Sequence, residues 1–436
     1  MQHERLAFAA ICDLAGLVRG KAFPMLDLPR RLQTGVGYLA TNIMMSAFGP
    51  IFSTPFGTTG DLMVVPDPEA AVEVSYDGDD TAERFFLSDL REIDGTPWEC
   101  CPRNFLRRGL QGLQQEGLSL LAAFEQEFVY TGVEDRPAAT YALDLFRRQR
   151  GFGEIFLGAL RQAGVTPDSF LPEYGPRQFE VTVSPKQGLR AADEAVIVRE
   201  LARATAMRLG HRAILSPMLD PQGIGNGTHI HFSLRNADGR PAMADPEQPY
   251  GLSEKGAAFV AGILHHMPHL SALTAPSVPS YYRLTPNRWA PTWMILAKQD
   301  RGAALRVCPV FAPASPEDAA RKFNVEFRVT DATASPYLAL GALVHAGLDG
   351  IRQNRALPEA PPAAFWSLDD AGREALGARR LPASLPEALD LLEGSEVAGW
   401  MGETMSRAYL ELKRAEAHHV AERSPREVCD LYAECY

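Results

Sequence analysis

The sequence has no CxxC pair. Its six cysteines (Cys12, Cys100, Cys101, Cys308, Cys429 and Cys435) are scattered apart from one adjacent couple, so a zinc cluster is not expected. No apolar run reaches about 18 residues, which excludes a helical membrane span. The opening MQHERLAFAAICDLAG carries Glu4, Arg5 and Asp13 and no cleavage signature, which makes a poor signal peptide. A reduced cytoplasm is the expected setting. There is no basic excess either. The net charge of −11 argues against nucleic acid or an anionic membrane as the main partner, and leaves room for a local basic site for a small anion. No GxxxxGK[ST] occurs, so the chain is not a P-loop enzyme. Internal repeats and low-complexity blocks are absent.

What remains is ordinary for a globular enzyme: 436 residues, 46% hydrophobic and 22% charged, enough for two or three domains with a large core. Residues 1–100 mix short β-like runs (DLMVVPD, AVEVSY) with Gly/Pro turns. DGTPWECCPRNF (94–105) reads as a linker, giving an N-terminal domain 1–100 and a larger domain 101–436. Helical spacing appears in PRNFLRRGLQGLQQEGL, in 193–210 with Gly210 as its stop, in GAAFVAGILHHMPHLSAL and in ETMSRAYLELKRAEAHHVAE. Short strands alternate irregularly with these helices, an α+β pattern.

Four of those strands carry the chemistry. Glu125 and Glu127 in FEQEF share a face. Glu180 lies opposite Phe179, Val181 and Val183, with Glu173 upstream in a loop. His229, His231 and Ser233 face away from Ile230, Phe232 and Leu234. Glu326 and Arg328 face away from Val325, Phe327 and Val329. One such strand is an ordinary solvated ladder. With Glu173, the four supply five glutamates, two histidines and an arginine. If they are neighbours, the carboxylates repel unless a cation neutralises them, and oxygen-rich ligation favours Mg²⁺ or Mn²⁺. Nearby arginines (Arg283, Arg301, Arg306, Arg321) suit a transferring phosphoryl group. The Gly-rich QGIGNG (222–227) precedes a strand and reads as a turn. RLTPNRWAP (283–291) reads as a stiff loop, neither helix nor central strand, because of its two prolines. It holds one large indole, Trp289.

These stretches, with DLAGLVRGK (13–21), GDLMVVPDP (60–68), EYGPRQFE (173–180), RGAALR (301–306) and VEFRVTDATASPYLAL (325–340), resemble the glutamine synthetase family along nearly the whole chain. The resemblance implies a small N-terminal β-grasp domain and a catalytic domain built on an antiparallel sheet flanked by helices. It implies one metal on Glu127, Glu173 and Glu180 and another on Glu125, His229 and Glu326, with two or three Mg²⁺ or Mn²⁺ ions per site. Gly225, His229, Arg283 and Arg328 would meet glutamate. His231, Ser233, Arg306 and Arg321 would meet ATP. Arg301, Arg283 and Arg328 would act on the transferring phosphoryl group. The family's assembly is a dodecamer of two hexameric rings with active sites shared between subunits.

Several positions depart from that pattern. Trp289 stands where ammonia-using members carry a glutamate, and Asn287 where a glycine is usual. The loop IMMSAFGPIFS (43–53) lacks the expected aspartate: no acid occurs between Asp27 and Asp61. An indole accepts no proton, but it packs against alkyl or aryl groups and faces alkylammonium favourably. Trp289, Ala47 and Phe48, with Met44 and Met45, are therefore expected to line an amine pocket. Lesser departures are Arg177, Ile224, Asn324 and Ser335. The expected reaction is ATP-dependent joining of glutamate to an organic amine, an alkyl or aryl monoamine, through γ-glutamyl phosphate. This is the glutamate–amine ligase branch of the family. Alternatives are a γ-glutamylpolyamine synthetase, an ammonia-using glutamine synthetase, or an inactive structural homologue. Trp289 could also be a core aromatic tucked under its loop.

Overall fold

The computed structural model describes residues 4–78, 81–137, 140–286 and 288–436; Asn287 lies outside them. The N-terminal sheet holds β1 (Leu6–Cys12), β2 (Val18–Pro24), β3 (Val36–Leu39), β4 (Asp61–Val74) and β5 (Glu83–Glu92), in the order β2-β1-β5-β4-β3. Its β1/β5 pair is parallel and the rest are antiparallel. The two β-like runs expected near residue 65 are one strand, β4. It survives its prolines because the register shifts between Pro66 and Ala71, and bulges tolerate residues that cannot donate to the ladder.

The expected linker 94–105 is a packed junction. Trp98, Cys100 and Cys101 are buried, and a helix starts at Pro102 and runs to Gln115. Buried Arg103 donates to Asp193 and Asp89 and to Asp67 of β4. Asp67 and Asp89 belong to the N-terminal sheet, so this one guanidinium bonds the two domains together.

The second sheet comprises β6 (Leu118–Tyr130), β7 (Pro167–Pro172), β8 (Gln178–Val183), β9 (Lys186–Gln187), β10 (Ala213–Ile214), β11 (Thr228–Asn236), β12 (Trp293–Lys298), β13 (Ala303–Val307) and β14 (Val325–Phe327). The order is β12-β13-β14-β11-β6-β8-β7, with β9 and β10 also pairing with β6. Most pairs are antiparallel, as expected. The exception is the edge pair β12/β13, which is parallel. Gln299, the residue after β12, has φ 57°.

One face of this sheet is apolar. Phe124, Phe128, Phe179, Val181, Ile230, Phe232 and Phe327 are buried there. The helix Gly188–Arg208 lies against β6, and Gln126 donates from the strand to the Ala195 carbonyl. That helix begins five residues before the acidic run taken as its start, and Gly210 follows its end at φ 77°. The long helices Glu254–Thr274 and Pro102–Gln115 both pack on Pro336–Arg352. The terminal residue is docked: the Tyr436 carbonyl accepts from Leu215 N at 2.7 Å and Arg203 Nη2 at 3.1 Å. Among the described residues no helix is long and apolar enough to cross a membrane.

Candidate active site

The four chemistry-bearing strands are neighbours, in the order β14-β11-β6-β8. Their register pairs His229 with Glu125, Glu127 with Glu180, and His231 with Glu326. Directly opposed residues share a face of a sheet, so the acids and imidazoles are gathered as the alternation required. Glu173 joins them from the loop after β7.

The face divides into two halves with different electrostatics. In the first, His229 Nδ1 lies 2.7 Å from Glu125 Oε1 and 3.4 Å from Glu326 Oε1, while His231 Nε2 lies 3.5 Å from Glu125 Oε2. Arg306 Nη1 donates to Glu326 Oε2 at 2.8 Å, and Arg328 Nη1 donates to Glu326 Oε1. Burial acts to raise both acids. The imidazole hydrogen bonds nevertheless hold Glu125 well below the carboxylate range, and His229 and Arg328 hold Glu326 at about 2. His231 is raised despite burial, through Cys308, Glu125 and Glu326.

The second half lacks such compensation. Burial, followed by Glu125, Glu127 and Glu173, pushes Glu180 up to about 10. Burial and Glu127 also raise Glu173. A hard divalent cation suits this half, because it supplies the charge that the protein itself does not. The donor set therefore fits the metals implied by the sequence. On the compensated side, Glu125, His231 and Glu326 also offer ligand atoms within 4.8 Å of one another. His231 belongs to that group and His229 borders it, although only His229 was expected as a ligand.

Glycines set the floor of the site. Gly227 N donates to Glu127 Oε2 at 2.7 Å. A Cβ at Gly227 would meet His229 Nε2 at 2.9 Å and Arg283 Nη1 at 3.2 Å, and one at Gly225 would meet Arg283 Cγ at 2.7 Å. Only glycine lets the backbone approach these groups so closely. The expected grouping of Gly225, His229 and Arg283 is thus present. Arg283 is buried and donates through Nη2 to the carbonyls of Val329 and Thr330, which leaves Nη1 toward the glycine turn. Arg283 also closes a short helix, Val278–Arg283. The loop reading of its stretch therefore holds only from Leu284 onward.

Beside the metal face a cavity of about 530 Å³ is lined by Glu125, His231, Ser233, Arg235, Arg321 and Lys322, among others. That size suits a nucleotide. Ser233 Oγ is buried there without a hydrogen-bond partner, and such a group calls for an acceptor or donor from a ligand. Three of the four residues expected at ATP line this cavity. Arg306 stands one strand away on Glu326. Arg321 is paired with Asp318, as is Lys322 at 2.7 Å. Arg235 was missed, although the period-two face of His229, His231 and Ser233 continues directly to it. Asn324 holds His231 Nδ1 at 2.9 Å. Arg301 is not gathered inward: its side chain is exposed on the β12–β13 connection, and its carbonyl accepts from Arg328 Nε at 3.0 Å.

The amine-pocket expectation divides. Trp289 is 65% exposed, which overturns the core-aromatic reading. Its ring stacks on Tyr174, with centroids 5.4 Å apart and planes at 17°. Ala47 and Met44 are buried in this chain's own core, and Ala47 N donates to Glu416 Oε1 at 2.6 Å. Phe48 packs on His419 and Tyr432. These residues anchor the loop to the C-terminal helices and are not free to line a pocket. An apolar loop in a sequence does not reveal which of its side chains face inward. The loop's exposed apolar residues are Ile51 and Phe52. Arg177 adopts φ 57°, the left-handed conformation that glycine takes without strain.

Comparison with known proteins agrees with this geometry. The family model for the glutamine synthetase catalytic domain matches residues 99–431, and that for the glutamine synthetase N-terminal domain matches residues 1–98. The chain is 33% identical over 424 residues to the gamma-glutamylpolyamine synthetase GlnA3 of Streptomyces coelicolor, covering 94% of this chain and 89% of that protein. It is 30% identical over 400 residues to a glutamine synthetase of Thermococcus kodakarensis, covering 89% and 84%. The crystal structure of a novel glutamine synthase homolog superposes with a TM-score of 0.91 at 39% identity, covering 100% of this chain and 99% of that one. A GmaS/ADP complex gives 0.82 at 24% identity over 97% and 96%, which shows the shared fold. The chain belongs to the glutamine synthetase family, whose members are ATP-dependent ligases.

Proposed function

We propose that this protein joins the γ-carboxylate of glutamate to an organic primary amine at the expense of ATP. The observation that carries the reading is Trp289, exposed and stacked on the tyrosine that follows Glu173, in a position where an ammonium site needs an acid. Glu127, Glu173 and Glu180 would hold one Mg²⁺ or Mn²⁺, and Glu125, Glu326 and a histidine another. When bound, the cations supply charge neutralisation for the nucleotide phosphates. Ser233 and His231 meet the phosphates from the cavity wall, while Arg306 and Arg328 stay oriented by Glu326. The Gly225–Gly227 turn and Arg283 receive glutamate.

In the first step the γ-carboxylate oxygen bonds to the γ-phosphorus of ATP, and the bond to ADP breaks. In the second the amine nitrogen attacks the acyl carbon, the C–O bond to phosphate breaks, and one proton passes from nitrogen to phosphate or water. Polarising arginines stabilise the charge that develops in both steps.

The test is phosphate release from ATP with glutamate and Mg²⁺ or Mn²⁺, comparing ammonium with alkyl, aryl and polyamines. Release driven by a monoamine far above ammonium supports the reading. Release driven mainly by ammonium overturns it. Release driven by putrescine or spermidine would favour the polyamine alternative, which the similarity to GlnA3 keeps in view.

A second prediction concerns stability. Addition of Mn²⁺ or Mg²⁺ at about 100 times its Kd is expected to stabilise the protein by about 2.7 kcal/mol, because it relieves the repulsion around Glu180. Thermal unfolding should shift up by a few degrees and return with EDTA. An unchanged Tm would remove the metal assignment. The assembly we propose is the family's double hexameric ring, in which the exposed Ile51 and Phe52 would be free to meet a neighbouring subunit. Light scattering that reports a monomer at micromolar concentration would overturn it.

A further inference from the structure

Trp289 is held in an unfavourable backbone conformation, φ 58°. A bulky L-residue adopts this left-handed region only where its surroundings impose it. The preceding residue is anchored: Arg288 donates through Nη2 to the Pro221 carbonyl at 2.7 Å and through Nη1 to the Gly223 carbonyl. That conformation does not bury the ring. Here it holds the indole out in solvent, parallel to Tyr174.

Tyr174 is itself 45% exposed, and Tyr141, 56% exposed, meets it edge-on at 5.5 Å and 85°. Tyr141 also has a positive φ, 51°. Three large rings therefore form one contiguous exposed surface, and two of them sit on strained backbone. Such patches mark binding sites. This one is attached to the reaction centre, because Tyr141 Oη donates to Glu173 Oε1 and Tyr174 N donates to Glu173 Oε2, both at 3.1 Å.

We propose that Tyr174 is a specificity-determining residue. With Trp289 it makes a shelf that selects primary amines bearing an aromatic ring on a short alkyl arm. The inference rests on the glutamate–amine ligase reading and narrows its substrate class. The open face of the indole continues the Tyr174–Trp289 stack, and a third flat ring extends it in the offset geometry aromatic pairs prefer. The arm is short because the aromatic surface is tied directly to Glu173, whose carboxylate accepts from Tyr141 Oη and Tyr174 N. A polyamine fits this surface poorly. The carboxylate that the aromatic surface touches, Glu173, is assigned to the metal, and Arg288 is cationic. A distal ammonium would gain only the weak cation–π contact of exposed rings and would meet a guanidinium.

The test compares kcat/KM of the full-length enzyme for 2-phenylethylamine, its saturated analogue 2-cyclohexylethylamine, methylamine, putrescine and ammonium. Wild type is expected to prefer 2-phenylethylamine over methylamine and putrescine by at least about tenfold. Tyr174→Ala should cut the phenylethylamine-to-methylamine ratio by about fivefold or more through KM, and Tyr174→Phe should restore it. Equal losses for all amines would assign Tyr174 a merely structural role and overturn the proposal. So would use of methylamine or putrescine ahead of the aryl amine, while the ligase reading would stand. Preference for ammonium would instead overturn that reading. Should Tyr174→Ala not fold, tryptophan fluorescence of the wild type decides. Titration with 2-phenylethylamine in the presence of glutamate and an ATP analogue should change it, and Trp289→Phe should abolish the change. No change in the wild type overturns the shelf.

Discussion

Glu127→Ala is expected to lower kcat by at least about 1000-fold, roughly 4 kcal/mol of transition-state stabilisation. Glu127 faces Glu180 across β6 and β8, and its Oε2 accepts from Gly227 N at 2.7 Å and from Gln178 Nε2 at 3.2 Å. The substitution therefore removes a carboxylate ligand and also releases the turn on which Arg283 leans. Glu127→Gln separates the two effects, because the amide keeps an acceptor for Gly227 and loses the charge. If the charge holds the cation, the glutamine variant is as inactive as the alanine variant and no longer gains Tm from Mn²⁺. If the anchoring of the turn dominates, glutamine rescues. Wild-type turnover in Glu127→Ala would sink the metal assignment for this half of the face.

The second large effect is expected from Trp289→Glu. The variant removes a ring worth about 0.5–2 kcal/mol to an alkylammonium or aryl group and places a carboxylate beside the incoming nitrogen. The kcat/KM ratio of organic amine to ammonium should fall by at least about tenfold, the equivalent of about 1.4 kcal/mol. Trp289→Ala provides the comparison: it should lose amine preference without gaining ammonium, since it adds no base. Backbone strain is shared within the pair, because glutamate and alanine both carry a Cβ at φ 58°. An unaffected organic-amine preference in Trp289→Glu would place the indole outside the pocket.

The two variants probe parts of the site that were legible to different degrees. The metal face was readable because strand alternation is a local rule. Glu125 and Glu127, or His229 and His231, must project to one side once their segment is extended. The same rule would have reached Arg235. The assignment of the glycines and arginines came from resemblance, and the geometry supports it unevenly: Arg283 and Arg328 are inside, Arg301 is exposed. The helix Gly188–Arg208 was found with its start displaced, since capping residues mark only some helix ends.

By itself, the sequence determined the α+β class, the apolar and polar faces of β6, β8, β11 and β14, and the acidic and imidazole residue types that those polar faces carry. All of these depend on neighbours in the chain, where periodicity and composition act. Only the tertiary structure decided that those four strands adjoin. It alone showed that Glu180 is raised while Glu326 is lowered, that Ala47 and Met44 are core, and that Trp289 lies open on Tyr174. Each of these depends on which groups distant in sequence come within a few ångströms. Burial and Coulomb interactions, which set the chemistry of the site, are properties of that proximity and not of sequence order.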